Sequence, residues 1–203
     1  MTSLHEERLD RACQVLRATG ARTVLDLGCG SGSLLLRLVA EEQFTKVTGL
    51  EQSGASLALA RTILAAQPEG EAERLTLING SYQKPDPRLT GFDAAAMVET
   101  IEHVHPHALS TVEQTVFGRY RPVHLFMTTP NAEYNPLLDL PPGAFREDDH
   151  KFEWSRGKFR QWARGVADRN GYAVRFGGIG EDHPDAGTPT QTALFTRRTS
   201  PAS

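Results

Sequence analysis

Cysteine is scarce in this chain of 203 residues. Cys13 and Cys29 are too few for a disulfide framework, which excludes a small, cross-linked secreted scaffold. Long apolar runs are missing as well. None approaches the roughly 18 residues that a membrane-spanning helix needs. The opening Met1-Thr-Ser-Leu-His-Glu-Glu-Arg8 lacks the charged-then-apolar plan of a secretory leader. A cytoplasmic location, with no membrane association, is therefore expected. There is no surplus of positive charge: 22 Lys and Arg face 25 Asp and Glu, for a net charge of −3. No whole-molecule field attracts polyanions, so contact with one requires a local patch. Internal repeats are absent. What is present is an ordinary globular composition, 39% hydrophobic, at a length that supports a proper core. A single domain over 1–198 is expected, with a disordered tail at 199–203.

Apolar strand-like runs alternate with helical ones. Strands are expected at Thr23–Leu27, Lys46–Glu51, Leu75–Ile78, Phe92–Val98, Val123–Met127, Tyr172–Gly177 and Thr192–Arg197. Helices are expected at Leu4–Ala18, Leu34–Glu41, Gly54–Ala66 and Phe159–Asn170. Such alternation gives an α/β fold, with a mostly parallel sheet and helices on both faces. Pro130 to Gly157 is rich in Pro, Asn and Asp and reads as one long loop, a length usually kept for function.

Asp26-Leu-Gly28-Cys-Gly30-Ser-Gly32 follows the first strand and opens a helix. Glycines there allow a sharp turn and close approach of a ligand to the backbone. Glu51, ending the second strand, stands where an acidic residue bonds ribose hydroxyls in nucleotide-binding folds. The alternative is a plain tight turn beside a satisfied carboxylate. No glycine lies three past Gly30, which disfavours a dinucleotide and favours a cofactor without a pyrophosphate, such as S-adenosylmethionine. The turn resembles the signature of class I S-adenosylmethionine-dependent methyltransferases. That resemblance implies a Rossmann-like, seven-stranded sheet with an antiparallel last strand. Asp26, Gly28, Gly30, Glu51 and Ser81 are the expected cofactor contacts.

Glu99, Glu102 and His103 follow the fourth strand at i, i+3 and i+4, a spacing that places them on one face of a helix. His150 lies in the long loop after the fifth strand. Together they form a mixed oxygen and nitrogen donor set suited to a divalent cation. The alternative is an acidic helix start with a solvated histidine.

Val98-Glu-Thr-Ile-Glu-His103, Met127-Thr-Thr-Pro-Asn131 with Glu133-Tyr-Asn135, and Phe145-Arg-Glu-Asp-Asp-His-Lys-Phe-Glu-Trp-Ser-Arg156 resemble the small-RNA 3′-terminal ribose 2′-O-methyltransferases, as does Leu4-His-Glu-Glu-Arg-Leu9. The resemblance runs from about Leu4 to Arg197. It implies that Glu99, Glu102, His103 and His150 are metal ligands and form the catalytic centre, with Mn²⁺ favoured and Mg²⁺ its competitor. It implies as substrate an RNA 3′ end with free 2′,3′-hydroxyls, and as partners an RNA end-healing kinase and ligase. A cation lowers the pKa of a hydroxyl it holds, and four protein ligands leave two octahedral places for vicinal oxygens. His105 is one candidate proton acceptor, and transfer to solvent is the other. Arg146 and Arg156 are expected to touch RNA, and Asn131 and Tyr134 to shape the terminal-nucleotide pocket. Phe159, Trp162 and Val166 recur at helical spacing and read as core. A small vicinal diol substrate, or a non-catalytic RNA-end binder, are the rival readings.

Overall fold

The computed structural model describes residues 3–141 and 143–199. Residues 200–203 of the expected tail lie outside the described residues. The first helix, α1 (Ser3–Ala18), buries Leu9, Ala12, Cys13 and Leu16, an i, i+3, i+4, i+7 stripe. Val24 to Leu27 of β1 (Thr23–Leu27) and Val47 to Leu50 of β2 (Lys46–Glu51) are buried without interruption. Unbroken burial is what a strand covered on both faces requires. The remaining elements are α2 (Ser33–Ala40), α3 (Gly54–Leu64), α4 (Glu69–Ala72), β3 (Leu75–Asn79), β4 (Ala94–Val98), α5 (Leu109–Glu113), β5 (His124–Pro130), α6 (Arg156–Asn170), β6 (Tyr172–Ile179) and β7 (Thr190–Arg197).

The strand order is β3-β2-β1-β4-β5-β7-β6. The strands from β3 to β5 pair in parallel, and β7 runs antiparallel to both of its neighbours. This is the sheet that the resemblance to class I methyltransferases implies. Separate apolar cores cover its two faces. Ala95 and Met97 of β4 enter one, and Ala94 and Ala96 enter the other, as the two-residue strand period demands. Phe159 and Val166 are core residues, and Trp162 packs against them.

Several boundaries differ from the sequence expectation. Residues 109–120 form α5 and a wider π turn, Gln114–Tyr120, in a stretch that carried no helical expectation. Its β-branched Thr111, Val112, Thr115 and Val116 and its Gly118 are poor helix formers. Burial of Val112, Val116, Phe117 and Tyr120 holds it in place. The segment Pro130 to Gly157 is not one irregular loop. It holds a 3₁₀ segment, Ala132–Leu138, and α6 starts early because Ser155 Oγ accepts from Lys158 N at 3.3 Å. β5 continues to Pro130 because β7 pairs with it that far. Among the described residues, no helix is long and apolar enough to cross a membrane.

Candidate active site

The strand order reverses between β1 and β4, and in open α/β sheets ligands bind at that crevice, beyond the carboxyl ends of the strands. A cleft of about 470 Å³ lies there. Its lining includes Gly28 and Gly30 of the turn after β1, Glu51 at the end of β2, Ser81 to Gln83 after β3, and Glu99, Thr100, His103 and Val104 after β4. Asp149 and Lys151 close it from the loop after β5.

The glycine turn is built for close approach. Gly28 has φ 84°, and a Cβ there would lie 2.5 Å from Thr100 Oγ1. Thr100 is itself fixed by Tyr82, whose hydroxyl lies 2.8 Å from Thr100 Oγ1. Glu51 accepts from Gly30 N at 3.0 Å and from Ser53 N at 2.7 Å, so one carboxylate ties the turn to the end of β2. Asp26 lies under the turn, and its Oδ2 is buried without a hydrogen-bond partner. Burial, then the negative charge of Glu51, push its carboxyl up to about 7. Cys29 packs against Gly49, and burial raises its thiol well above the ordinary range, which makes it inert.

The acidic segment after β4 departs from the single helical face expected for it. Glu99 has φ 49°, which breaks the backbone path at once. Its N–H donates to Thr128 Oγ1 at 3.0 Å, and that hydroxyl donates to Glu99 Oε1 at 2.7 Å. Ile101–His103 is then a single 3₁₀ turn. Glu99 Oε2 pairs at 3.1 Å with Arg8, which α1 delivers and whose Nε donates to Thr190 Oγ1 at 2.7 Å.

Glu102, His103 and His150 each offer a ligand atom, and these lie within 4.8 Å of one another. Glu102 is fully buried. Its Oε2 accepts from Thr129 Oγ1 at 3.0 Å, while Oε1 has no partner. Burial, with Glu99 close by, holds this carboxyl well above the usual carboxylate range. A buried, unpartnered carboxylate oxygen facing two imidazoles fits a divalent cation. His103 Nδ1 lies 3.0 Å from Asp149 Oδ2, without hydrogen-bond alignment. His150 is brought in by a backbone bond, Lys151 N to Glu102 O at 2.8 Å. Glu99 stands outside the group of three, held by Arg8 and Thr128.

Asn131 is fully buried. Its Nδ2 donates to Ala186 O and Thr188 O, and its Oδ1 caps Glu133 N. Arg146 donates to Asn135 Oδ1, Pro189 O and Asn131 O. Both are tied into the chain by these bonds, Asn131 through its side-chain amide and Arg146 through Nε and both terminal nitrogens. Arg156 pairs with Glu133 and is one-third exposed. Tyr134 is half-buried. Phe152, Trp154 and Phe159 are buried and stack in the core, so base stacking is closed to them. His105 stacks on His107 away from the cleft lining. Sequence reasoning missed Arg8, Thr128, Thr129, Tyr82 and Glu153. Only the runs around Arg8, Met127 to Asn131 and Glu153 carried a signal, through motif resemblance.

Sheet order, glycine turn and cleft together define a class I methyltransferase domain. A family model described as a methyltransferase domain matches residues 25–117. The solved methyltransferase domain of bacterial CtHen1 superposes with a TM-score of 0.87 at 37% identity, covering 96% of this chain and 100% of that one. The small RNA 2′-O-methyltransferase of Arabidopsis thaliana is 33% identical over 97% of this chain and 23% of the relative. The chain belongs to the small RNA 2′-O-methyltransferase family. It spans about half the length of the vertebrate relatives it matches, for example 55% of the one from Xenopus tropicalis. The Pnkp1/Rnl/Hen1 RNA repair complex contains a chain that shares the fold, with a TM-score of 0.69 at 21% identity.

Proposed function

We propose that this chain transfers a methyl group from S-adenosylmethionine to the 2′-hydroxyl of the 3′-terminal ribose of RNA. The observation that carries the reading is a single cleft. Its lining joins the glycine turn and Glu51 to Glu99 and His103 of the acidic and imidazole cluster. A methyl donor beside the glycine turn and an acceptor hydroxyl beside the cluster meet inside one cleft, where orientation alone supplies a large part of the rate. The methyl leaves the sulfonium, the 2′-oxygen gains it, and S-adenosylhomocysteine and a proton are released.

Glu102, His103 and His150 would hold a divalent cation, Mn²⁺ or Mg²⁺, with Glu99 as a further donor. When bound, such a cation lowers the pKa of a hydroxyl in contact with it, which a ribose hydroxyl needs at neutral pH. Glu51 and the turn at Gly28 and Gly30 hold the cofactor, and Tyr82 fixes Thr100 against Gly28. Ser81 and the buried Asp26 complete that end. Lys151, a cation among the lining residues, supplies charge for the terminal phosphodiester, with Arg156 at the start of α6 and Tyr134 of the 3₁₀ segment as further RNA contacts. Asn131 and Arg146 serve the substrate indirectly, by bracing the wall.

A terminal ribose presents adjacent 2′- and 3′-hydroxyls, a chelating pair. An internal ribose has its 3′-oxygen esterified, so end selectivity follows. The same selectivity suits an RNA-repair assembly with end-healing kinase and ligase activities, where a broken end is marked before sealing. A methyl-transfer assay on one RNA with a 2′,3′-diol end, the same RNA 3′-phosphorylated, and catechol tests this. Transfer to the diol end alone is expected. Turnover of catechol at a similar rate would make the chain a small-diol enzyme, and tight RNA binding without turnover would make it a binding module.

A further inference from the structure

Glu153 lies in the motif that carries His150 and has no role assigned to it above. Its side chain is wholly buried, and its two oxygens gather three segments of the loop after β5. His150 Nδ1 is 2.6 Å from Oε1, Arg146 N donates to the same oxygen at 2.7 Å, and Asn135 Nδ2 donates to Oε2 at 2.5 Å. Asn135 is held in turn by Arg146 Nε on its Oδ1 at 2.7 Å. The next residue, Trp154, is pinned through its carbonyl by Ala132 N and Gln191 Nε2. The carboxylate is therefore fixed on both sides, and it presents one oxygen to one ring nitrogen.

An imidazole ligates through only one nitrogen, and the hydrogen bond made by the other decides which nitrogen is available. A carboxylate behind a ligating histidine also sets the ring's orientation and raises its basicity. We infer that Glu153 is the positioning residue of the cation site: it keeps the proton of His150 on Nδ1 and leaves Nε2 facing Glu102 and His103. The inference rests on the metal reading of the cluster. Glu153 itself touches neither cofactor nor reacting atoms. Its second bond, to Arg146 N, makes the placement of His150 depend on the position of Arg146.

The test uses the whole chain and Mn²⁺ as the probe. Glu153→Ala is expected to lower Mn²⁺ affinity by about 10–100-fold, the usual loss when the group behind a ligating histidine is removed, with S-adenosylhomocysteine affinity unchanged. Glu153→Gln, which still offers an oxygen to Nδ1–H, should restore much of that loss. A second measurement needs no variant. Long-range ¹⁵N–¹H correlation on histidine-labelled, metal-free protein at pH 8.5 should show His150 protonated at Nδ1 alone. A proton on His150 Nε2, or wild-type Mn²⁺ affinity in Glu153→Ala, would overturn the inference. Should the native chain bind no Mn²⁺, the metal reading falls, and the tautomer measurement still decides whether Glu153 governs the ring.

Discussion

Replacement of His150 by alanine is expected to slow methyl transfer to RNA by on the order of a thousandfold while S-adenosylmethionine affinity stays nearly constant. The two effects separate because the residues separate. His150 offers one of the three clustered ligand atoms, whereas Gly28, Gly30, Glu51 and Ser81 line the cofactor end of the cleft. Loss of an imidazole donor leaves Glu102 Oε1 and His103, with Glu99, unable to hold a cation tightly. Stabilisation by such a cation amounts to several kcal/mol of the barrier, and each ~1.4 kcal/mol is a factor of ten in rate. Single-turnover transfer and a cofactor titration measure the two quantities. A rate within about tenfold of the native one would remove His150 from the chemistry. Loss of cofactor binding would mean instead that the substitution had disturbed the fold of residues 131–154.

The second large effect concerns stability and pH. Asp26 is 2% exposed, and its carboxyl is raised from 3.8 to about 7 in the folded chain. Between those values the folded state keeps a proton that the unfolded state has lost. Stability therefore falls as pH rises from about 4 to about 7, and above that the penalty is complete. At ~1.4 kcal/mol per pH interval the penalty is on the order of 4 kcal/mol. Asp26→Asn removes the charge and keeps the shape. Without cofactor, the variant is expected to melt well above the native chain at pH 8, with the gap closing toward pH 4.5. Urea denaturation at the two pH values measures it. Equal differences at both would show that the folded-state carboxyl is not raised, its charge being compensated by a partner.

The parts legible in the sequence are those with local causes. β1 and β2 were bounded to the residue, because their largely apolar runs are closed on the C-terminal side by Gly28 and Glu51. The crevice followed from a glycine turn whose strand–turn–helix setting is itself local. Residues 109–120 were not legible. Their helix is held by Val112, Val116, Phe117 and Tyr120 reaching the core, against weak intrinsic propensity. Glu99 shows a different limit. Its spacing to Glu102 and His103 matches a helix, yet Thr128, from a neighbouring strand, captures both its amide and its carboxylate and turns the backbone to φ 49°. Arg8 reaches Glu99 only because α1 packs across the sheet. Arg146 was expected at the RNA alongside the motif resemblance, and nothing local announced its bonds to Asn135 Oδ1, Pro189 O and Asn131 O. In each case the missing information was a contact between residues far apart in the chain.

The cation site is tested most directly by anomalous diffraction from crystals of the chain grown with S-adenosylhomocysteine and Mn²⁺. A single manganese peak is expected in the cleft, ligated by Glu102, His103 and His150, with Glu99 as a further donor. A well-ordered cofactor product with no manganese at these three side chains, or with the ion seated elsewhere, would contradict it.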